Sequence, residues 1–236
     1  VQTCALPISR DSFKATMQAE IITIGDELLI GQVVDTNSAW LGRTLGEDGI
    51  KVTQITSIQD DADQISRTVN EALARVSIVL VTGGLGPTRD DITKHTLAEL
   101  FGMRLVRDEQ VYETVRRQLA VRGIAFNELN RGQALVPDGC TVLPNRNGTA
   151  PGMWFERGGK ILVSMPGVPF EMKALVTDEV LPRLRTHFSL HANVHRTATT
   201  FGLAESILAE RIAPWEAALP ANLRLAYLPK IGRAHV

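Results

Sequence analysis

The chain has 236 residues, enough for one large domain or one domain with a small appendage. Its apolar fraction of 44% and charged fraction of 22% are ordinary for a globular protein, and its formal net charge is −1. That balance offers no electrostatic footprint for nucleic acid or a membrane surface, and no stretch approaches the roughly 20 apolar residues that span a bilayer, so the chain reads as soluble and cytoplasmic.

Residues Val1 to Ser9 have neither a charged n-region nor a long apolar core and are no secretory signal. Together with Ile231 to Val236, which break off a strand-like pattern without a turn, they look like foreign sequence. Residues 1–16 and 231–236 are therefore expected to take no fixed place in a sheet. From Ala19 onward strands and helices alternate. Glu20 to Ile24 is a short β-rich run that ends at Gly25. A helix follows from Asn37, with Trp40, Leu41, Thr44 and Leu45 on one face and Gly49 as its stop. Lys51 to Ser57 suits a strand. Asp60 to Asp63 opens a helix whose buried stripe is Ile65, Val69, Leu73 and Val76. Ser77 to Thr82 is a continuous apolar run, the mark of a parallel strand covered on both faces.

A glycine-rich turn leads to a helix expected over about Asp90 to Phe101, and a second helix spans Asp108 to Arg122 with Val111, Val115 and Leu119 inward. Phe126 to Gly159 is rich in Asn, Pro and Gly and reads as a long functional loop. Lys160 to Met165 restores a buried strand, and a helix runs from Pro169 through about Thr186. Val194 to Phe201, Leu203 to Ala218 and Arg224 to Leu228 then read as strand, helix and strand. The pattern predicts an α/β fold with a mostly parallel sheet covered by helices on both faces over residues 17–187. A small α+β unit follows over residues 188–230, with its two strands paired to each other.

Two cysteines, Cys4 and Cys140, lack metal-ligand spacing and read as unrelated thiols. His187, His191 and His195 recur every four residues without a nearby acid and read as solvated or core-edge residues.

Three segments carry chemistry. Gly25-Asp26-Glu27-Leu28 places two carboxylates directly after the first strand, with Asp35-Thr36-Asn37 close behind. Thr82-Gly83-Gly84-Leu85-Gly86-Pro87-Thr88-Arg89-Asp90-Asp91 offers backbone N–H groups and a helix start to a phosphate. Two adjacent acids would repel a bare phosphate, and a divalent metal bridging the two removes the conflict. Asn145 to Gly152 with Met165 to Met172 adds Asn147, Thr149 and Glu171. Each element also has a plainer reading: Asp90-Asp91 as a helix cap, Glu171 as a partner of a helix dipole, and a lone Asp26 or Glu27 as a loop acid.

Taken together, GDELLIG, TGGLGPTRDDIT, NGTAPG and PGVPFEM, in this order, resemble the competence/damage-inducible protein A (CinA) family over about Ala19 to Lys230. The shorter pattern of a TGG-x-G loop, an acid and a helical Thr resembles the molybdopterin-binding MogA, MoaB and MoeA proteins, with Asp91 at the shared acid. The resemblance implies a three-layer domain that binds a phosphorylated pterin or nucleotide, and a homodimer. It also implies metal-dependent hydrolysis of ADP-ribose to AMP and ribose 5-phosphate. The metal is of the Mg, Mn or Co type, with a monovalent cation as an optional companion. On this reading Asp90, Asp91 and Glu27 hold the metal or orient water. Gly83, Gly84, Gly86 and Thr88 cradle phosphate, and Asn37, Asn147, Thr149 and Glu171 complete the pocket. Many family members carry a further C-terminal amidohydrolase domain acting on nicotinamide mononucleotide, and that activity is not carried over. In the family an LPK segment leads into another strand. Here Leu228-Pro229-Lys230 meets the foreign-looking end, so the small unit reads as incomplete. Two rival readings stand beside this one: a pterin-binding or adenylyl-transferring protein, and a binding module without turnover.

Overall fold

The computed structural model describes residues 2–8, 17–88, 91–190, 194–220, 223 and 225–229. The chain opens with a strand β1 (Gln2–Ile8), then β2 (Gln18–Ile24), a single-turn helix α1 (Asp26–Leu29) and α2 (Thr36–Glu47). Asp35 caps α2, its carboxylate accepting from the Ser38 N–H at 2.9 Å. Next come β3 (Lys51–Ile58) and α3 (Ala62–Arg75), capped by Asp61 through the Gln64 N–H at 2.8 Å. β4 (Ile78–Thr82) is buried at every residue, as an apolar run between two helical layers must be.

The sheet order is β3-β2-β4, then β9 (Lys160–Met165), β8 (Gly152–Arg157) and β7 (Thr141–Leu143). The first four strands are parallel, β8 runs antiparallel to β9, and β7 runs antiparallel to β8. Alternate residues feed opposite faces. Ile21, Ile78, Leu80, Ile161 and Val163 pack with Leu41 and Leu45 of α2 and with Met172, Leu175, Leu181 and Leu184. Ile22, Val79, Val81 and Leu162 pack with Ile65, Val69 and Leu73 of α3 and with Leu97. This is the expected three-layer, mostly parallel architecture. Glu20, a buried carboxylate on a central strand, is answered by two Arg75 hydrogen bonds of 2.8 Å each. Among the described residues no helix is long and apolar enough to cross a membrane.

Four expectations are corrected. First, the helix after the glycine-rich turn, α4, spans Thr93–Phe101 and begins later than Asp90. Asp91 turns its carboxylate back onto the loop instead of capping the helix. Second, Phe126 to Gly159 is not one long loop. After β5 (Leu105–Arg107) and α5 (Glu109–Val121) it holds α6 (Glu128–Gly132), β6 (Leu135–Pro137), β7 and β8. β5 pairs with β6, and β8 pairs with β9. The signal for β8 was Gly158-Gly159 between two apolar runs: both glycines have positive φ, 60° and 73°, which is what a two-residue hairpin between strands demands.

Third, Gln2–Ile8 does hold a place in a sheet, pairing antiparallel with β10 (Val194–Thr200) on one side and β11 (Ala226–Pro229) on the other. Fourth, β10 and β11 are consequently neighbours of β1 rather than of each other, with α9 (Glu205–Ala217) linking them in sequence. Backbone pairing needs no strict side-chain alternation, which is why this segment escaped a reading by periodicity. Pro7, which cannot donate to a ladder, lies beyond the residues paired with β11. Residues 9–16 and 231–236 lie outside the described residues.

The helix from Pro169 is continuous but not uniform. α7 (Pro169–Leu175) widens into a π turn over Val176–Val180 before α8 (Leu181–Phe188). Pro182 has no N–H to complete the regular ladder, a known cause of such a local adjustment.

Candidate functional site

The parallel strands all end on one side of the sheet, and the segments that follow them line one cleft of about 490 Å³. Gly25 and Glu27 follow β2, Asp60 follows β3, Gly83 to Pro87 and Asp91 follow β4, and Gly167 and Glu171 follow β9. Thr149 and Ala150 arrive from the loop that precedes β8. Ligands of open α/β sheets bind beyond the carboxyl ends of strands, and this cleft lies there.

The Gly83–Asp91 loop is organised by its own acid. Asp91 Oδ1 accepts the Gly86 N–H at 2.7 Å, and Oδ2 accepts the Thr88 N–H at 3.0 Å and the Thr88 hydroxyl. The Gly83 N–H is spent on the Met165 carbonyl at 3.0 Å. Of the loop amides, those of Gly84 and Leu85 have no acceptor among the described residues, so these two are the donors the loop can offer to an anion. Gly83 has φ +113° and passes against the Ile24 carbonyl, where a Cβ would collide with backbone. Lys94, at the start of α4, donates to the Gly132 carbonyl at 2.7 Å. Burial lowers its amine to about 8, with the nearby Asp91 charge acting in the opposite direction.

The loop opposite in sequence origin, Asn145 to Pro151, is held by Asn145, which is buried. Its Oδ1 accepts the N–H groups of Asn147 and Gly148, both at 3.0 Å. Its Nδ2 donates to the Ala150 carbonyl at 2.9 Å and to Glu171 Oε2 at 2.7 Å. All four hydrogen-bonding positions of the amide are thus filled. Asn37, in the first turn of α2, donates to the Gly167 carbonyl at 2.7 Å and ties α2 to the loop after β9.

The structure therefore brings Glu27, Asp91, Gly83, Gly84, Gly86, Thr149 and Glu171 into one cleft. Thr88 acts from behind Asp91, and Asn37 acts through Gly167. Asn147 is exposed and does not line the cleft; its carbonyl accepts from Arg122 at 3.1 Å. Asp90 lies outside the described residues. Sequence reasoning missed two residues. Asp60 was read only as a helix opener, although its place after a parallel strand was the same signal that marked the other loops. Asn145 belonged to a marked segment, but nothing local announces that it is buried. Cys140 lies away from the cleft, half-buried, with its thiol raised to about 11 by burial.

Four carboxylates, Glu27, Asp60, Asp91 and Glu171, face the cleft, and among the described residues no lysine or arginine lines it. This all-oxygen donor set suits a hard divalent cation. Among the described residues no three acidic, histidine or cysteine side chains stand close enough to enclose one unaided.

The family model described as "Probable molybdopterin binding domain" matches residues 20–186. A CinA-like protein of Cytophaga hutchinsonii is 50% identical over 214 residues, covering 91% of this chain and 51% of that protein. The chain spans about half the length of the curated relatives it matches. The crystal structure of the protein CinA from Thermoplasma acidophilum superposes with a TM-score of 0.63 at 36% identity, covering 69% of this chain and 95% of that one. A molybdopterin biosynthesis protein from Mycobacterium abscessus shares the fold, with a TM-score of 0.51 at 18% identity over 74% of this chain and 96% of that one. With its glycine loop, its acids and its sheet order all in place, this chain belongs to the CinA family and carries that family's molybdopterin-binding-type domain.

Proposed function

We propose that the cleft binds the phosphates of a nucleotide and hydrolyses a phosphoanhydride of the ADP-ribose type, yielding AMP and ribose 5-phosphate, with a divalent metal. The observation that carries this reading is the meeting of four carboxylates with the free Gly84 and Leu85 amides in one cleft. Neither set suffices alone: bare acids repel phosphate, and two amides cannot neutralise a diphosphate. A bound divalent cation would supply the missing positive charge between carboxylate and phosphate. Magnesium is commonly held by one or two carboxylates with substrate phosphates and water completing its shell, which agrees with the absence of a three-ligand cluster among the described residues. Glu27 and Asp91 are the residues we assign to hold it, with Asp90 adjoining in sequence.

The chain's own groups then have defined tasks. The Gly84 and Leu85 N–H groups orient a phosphate at the end of β4. Glu171, fixed by Asn145, stands as a base for the attacking water. The water oxygen bonds to one phosphorus, the bridging P–O bond breaks, and two phosphomonoesters leave. Incubation with ADP-ribose, with and without Mg²⁺ or Mn²⁺, tests this by chromatography of the products. AMP and ribose 5-phosphate should form only with metal. Intact ADP-ribose under all metals would overturn the reading. The family's description favours a second reading, a molybdopterin-binding protein, which copurification of a fluorescent oxidised pterin would support.

A further inference from the structure

A second cavity of about 170 Å³ lies behind the Asn145–Pro151 loop. Its walls are Val111 and Val115 of α5 on one side, and Val142 and Pro144 from the end of β7 on the other. Thr149 lines both this cavity and the acidic cleft, so the two are separated by a single loop. That loop is held by the four Asn145 hydrogen bonds, and Gln118 of α5 braces it with a 3.2 Å bond from Nε2 to the Asn145 carbonyl.

The chemistry of the two cavities differs. The cleft is acidic, whereas the second cavity is mostly apolar, with Gln110 and Thr114 as neutral groups that both donate and accept. Asp108, the one ionisable group in its lining among the described residues, already caps α5 by accepting the Val111 N–H at 2.9 Å. Among the described residues neither a cation nor a set of carboxylates that could hold a metal lines it, so it offers phosphate no counter-charge. It is smaller than the roughly 300–1,000 Å³ of pockets that hold whole ligands, and it suits one flat ring system.

We propose that this cavity holds the planar nitrogen heterocycle, purine or pterin, of the ligand whose phosphates occupy the cleft. The proposal rests on the reading of the cleft as a phosphate site. The ring lies between the valines, and Gln110 and Thr114 meet its polar edge. Affinity for the ring is thereby set on α5, away from the acids.

Methyl and amide NMR of the full chain tests this with phosphate-free rings. Adenosine or pterin should shift the Val111, Val115 and Val142 methyls. Pyrophosphate with Mg²⁺ should leave those methyls still and shift the Gly84 and Leu85 amides. Whichever ring saturates the shifts at lower concentration identifies the heterocycle. Thr114→Trp, which fills the cavity from a half-buried position, should weaken ring binding about tenfold or more, equivalent to about 1.4 kcal/mol, and leave pyrophosphate binding intact. Valine methyls that ignore both rings, or a Thr114→Trp variant that binds them at the parent affinity, would overturn the proposal. Valine shifts with silent glycine-loop amides would uphold the ring site and reject the cleft as a phosphate site.

Discussion

Two of the loops that line the cleft are each gathered by one side chain, but the two organisers differ in kind. Asp91 draws in Gly86 and Thr88 with a charged, partly exposed carboxylate. Asn145 draws in Asn147, Gly148, Ala150 and Glu171 with a neutral amide that is buried. A charge at the first loop is tolerable because solvent reaches it. A charge at the second would be stranded in a dry place. On the proposed reading the two loops then take separate tasks: the first keeps an acid within reach of a cation, and the second is a fixed wall that holds Glu171.

The sharpest way to break this comparison is Asp91→Asn. Its amide N–H group would face the Thr88 N–H, donor against donor, and its charge is gone. Turnover of ADP-ribose should fall about 1,000-fold, while stability falls only about 1 kcal/mol. Steady-state kinetics beside urea unfolding measures both. Parent-level turnover would show that Asp91 serves the loop alone.

Asn145→Ala should show the reverse emphasis. It leaves two N–H groups and a buried carbonyl without partners and releases Glu171, so the loss should be about 3 kcal/mol of stability. A urea midpoint within error of the parent would show that water replaces the amide without cost, and the idea of a fixed wall would fall.

The smallest effect concerns Lys94, which links α4 to the end of α6. Its amine is lowered to about 8 in the folded protein, against about 10.4 in an unfolded chain. A lysine depressed in this way favours folding only in its neutral form. Its penalty is therefore full below pH 8 and fades as the pH rises toward about 10.4. Lys94→Met removes that penalty and also the bond to Gly132, so its stability relative to the parent should decline as pH climbs through that window. A pH-independent difference in unfolding midpoints would contradict the burial of this amine.

Much of the scaffold was legible in the residues taken in order. The apolar run of β4 and the stripe Ile65, Val69 and Leu73 of α3 announce themselves because near neighbours alone produce those periods. Asp61 and Asp108 mark helix starts for the same local reason. The glycine loop, Glu27, Thr149 and Glu171 could be nominated because residue type and position after a strand suffice to suggest chemistry. Other features depended on partners far away in the chain. β8 became a strand because β9 was there to pair with it, and Gln2–Ile8 because β10 and β11, from the far end of the chain, flank it. The sequence by itself determined the alternation of strands and helices and the location of the glycine-rich and acidic loops, since these follow from local sterics, hydrophobic period and capping. Only the tertiary structure decided that Asp91 turns back onto its own loop, that Asn145 is buried beneath Glu171, and that Asp60 joins the acids. Burial and hydrogen-bond partnership are properties of what the rest of the chain places around a residue, and no local pattern encodes them.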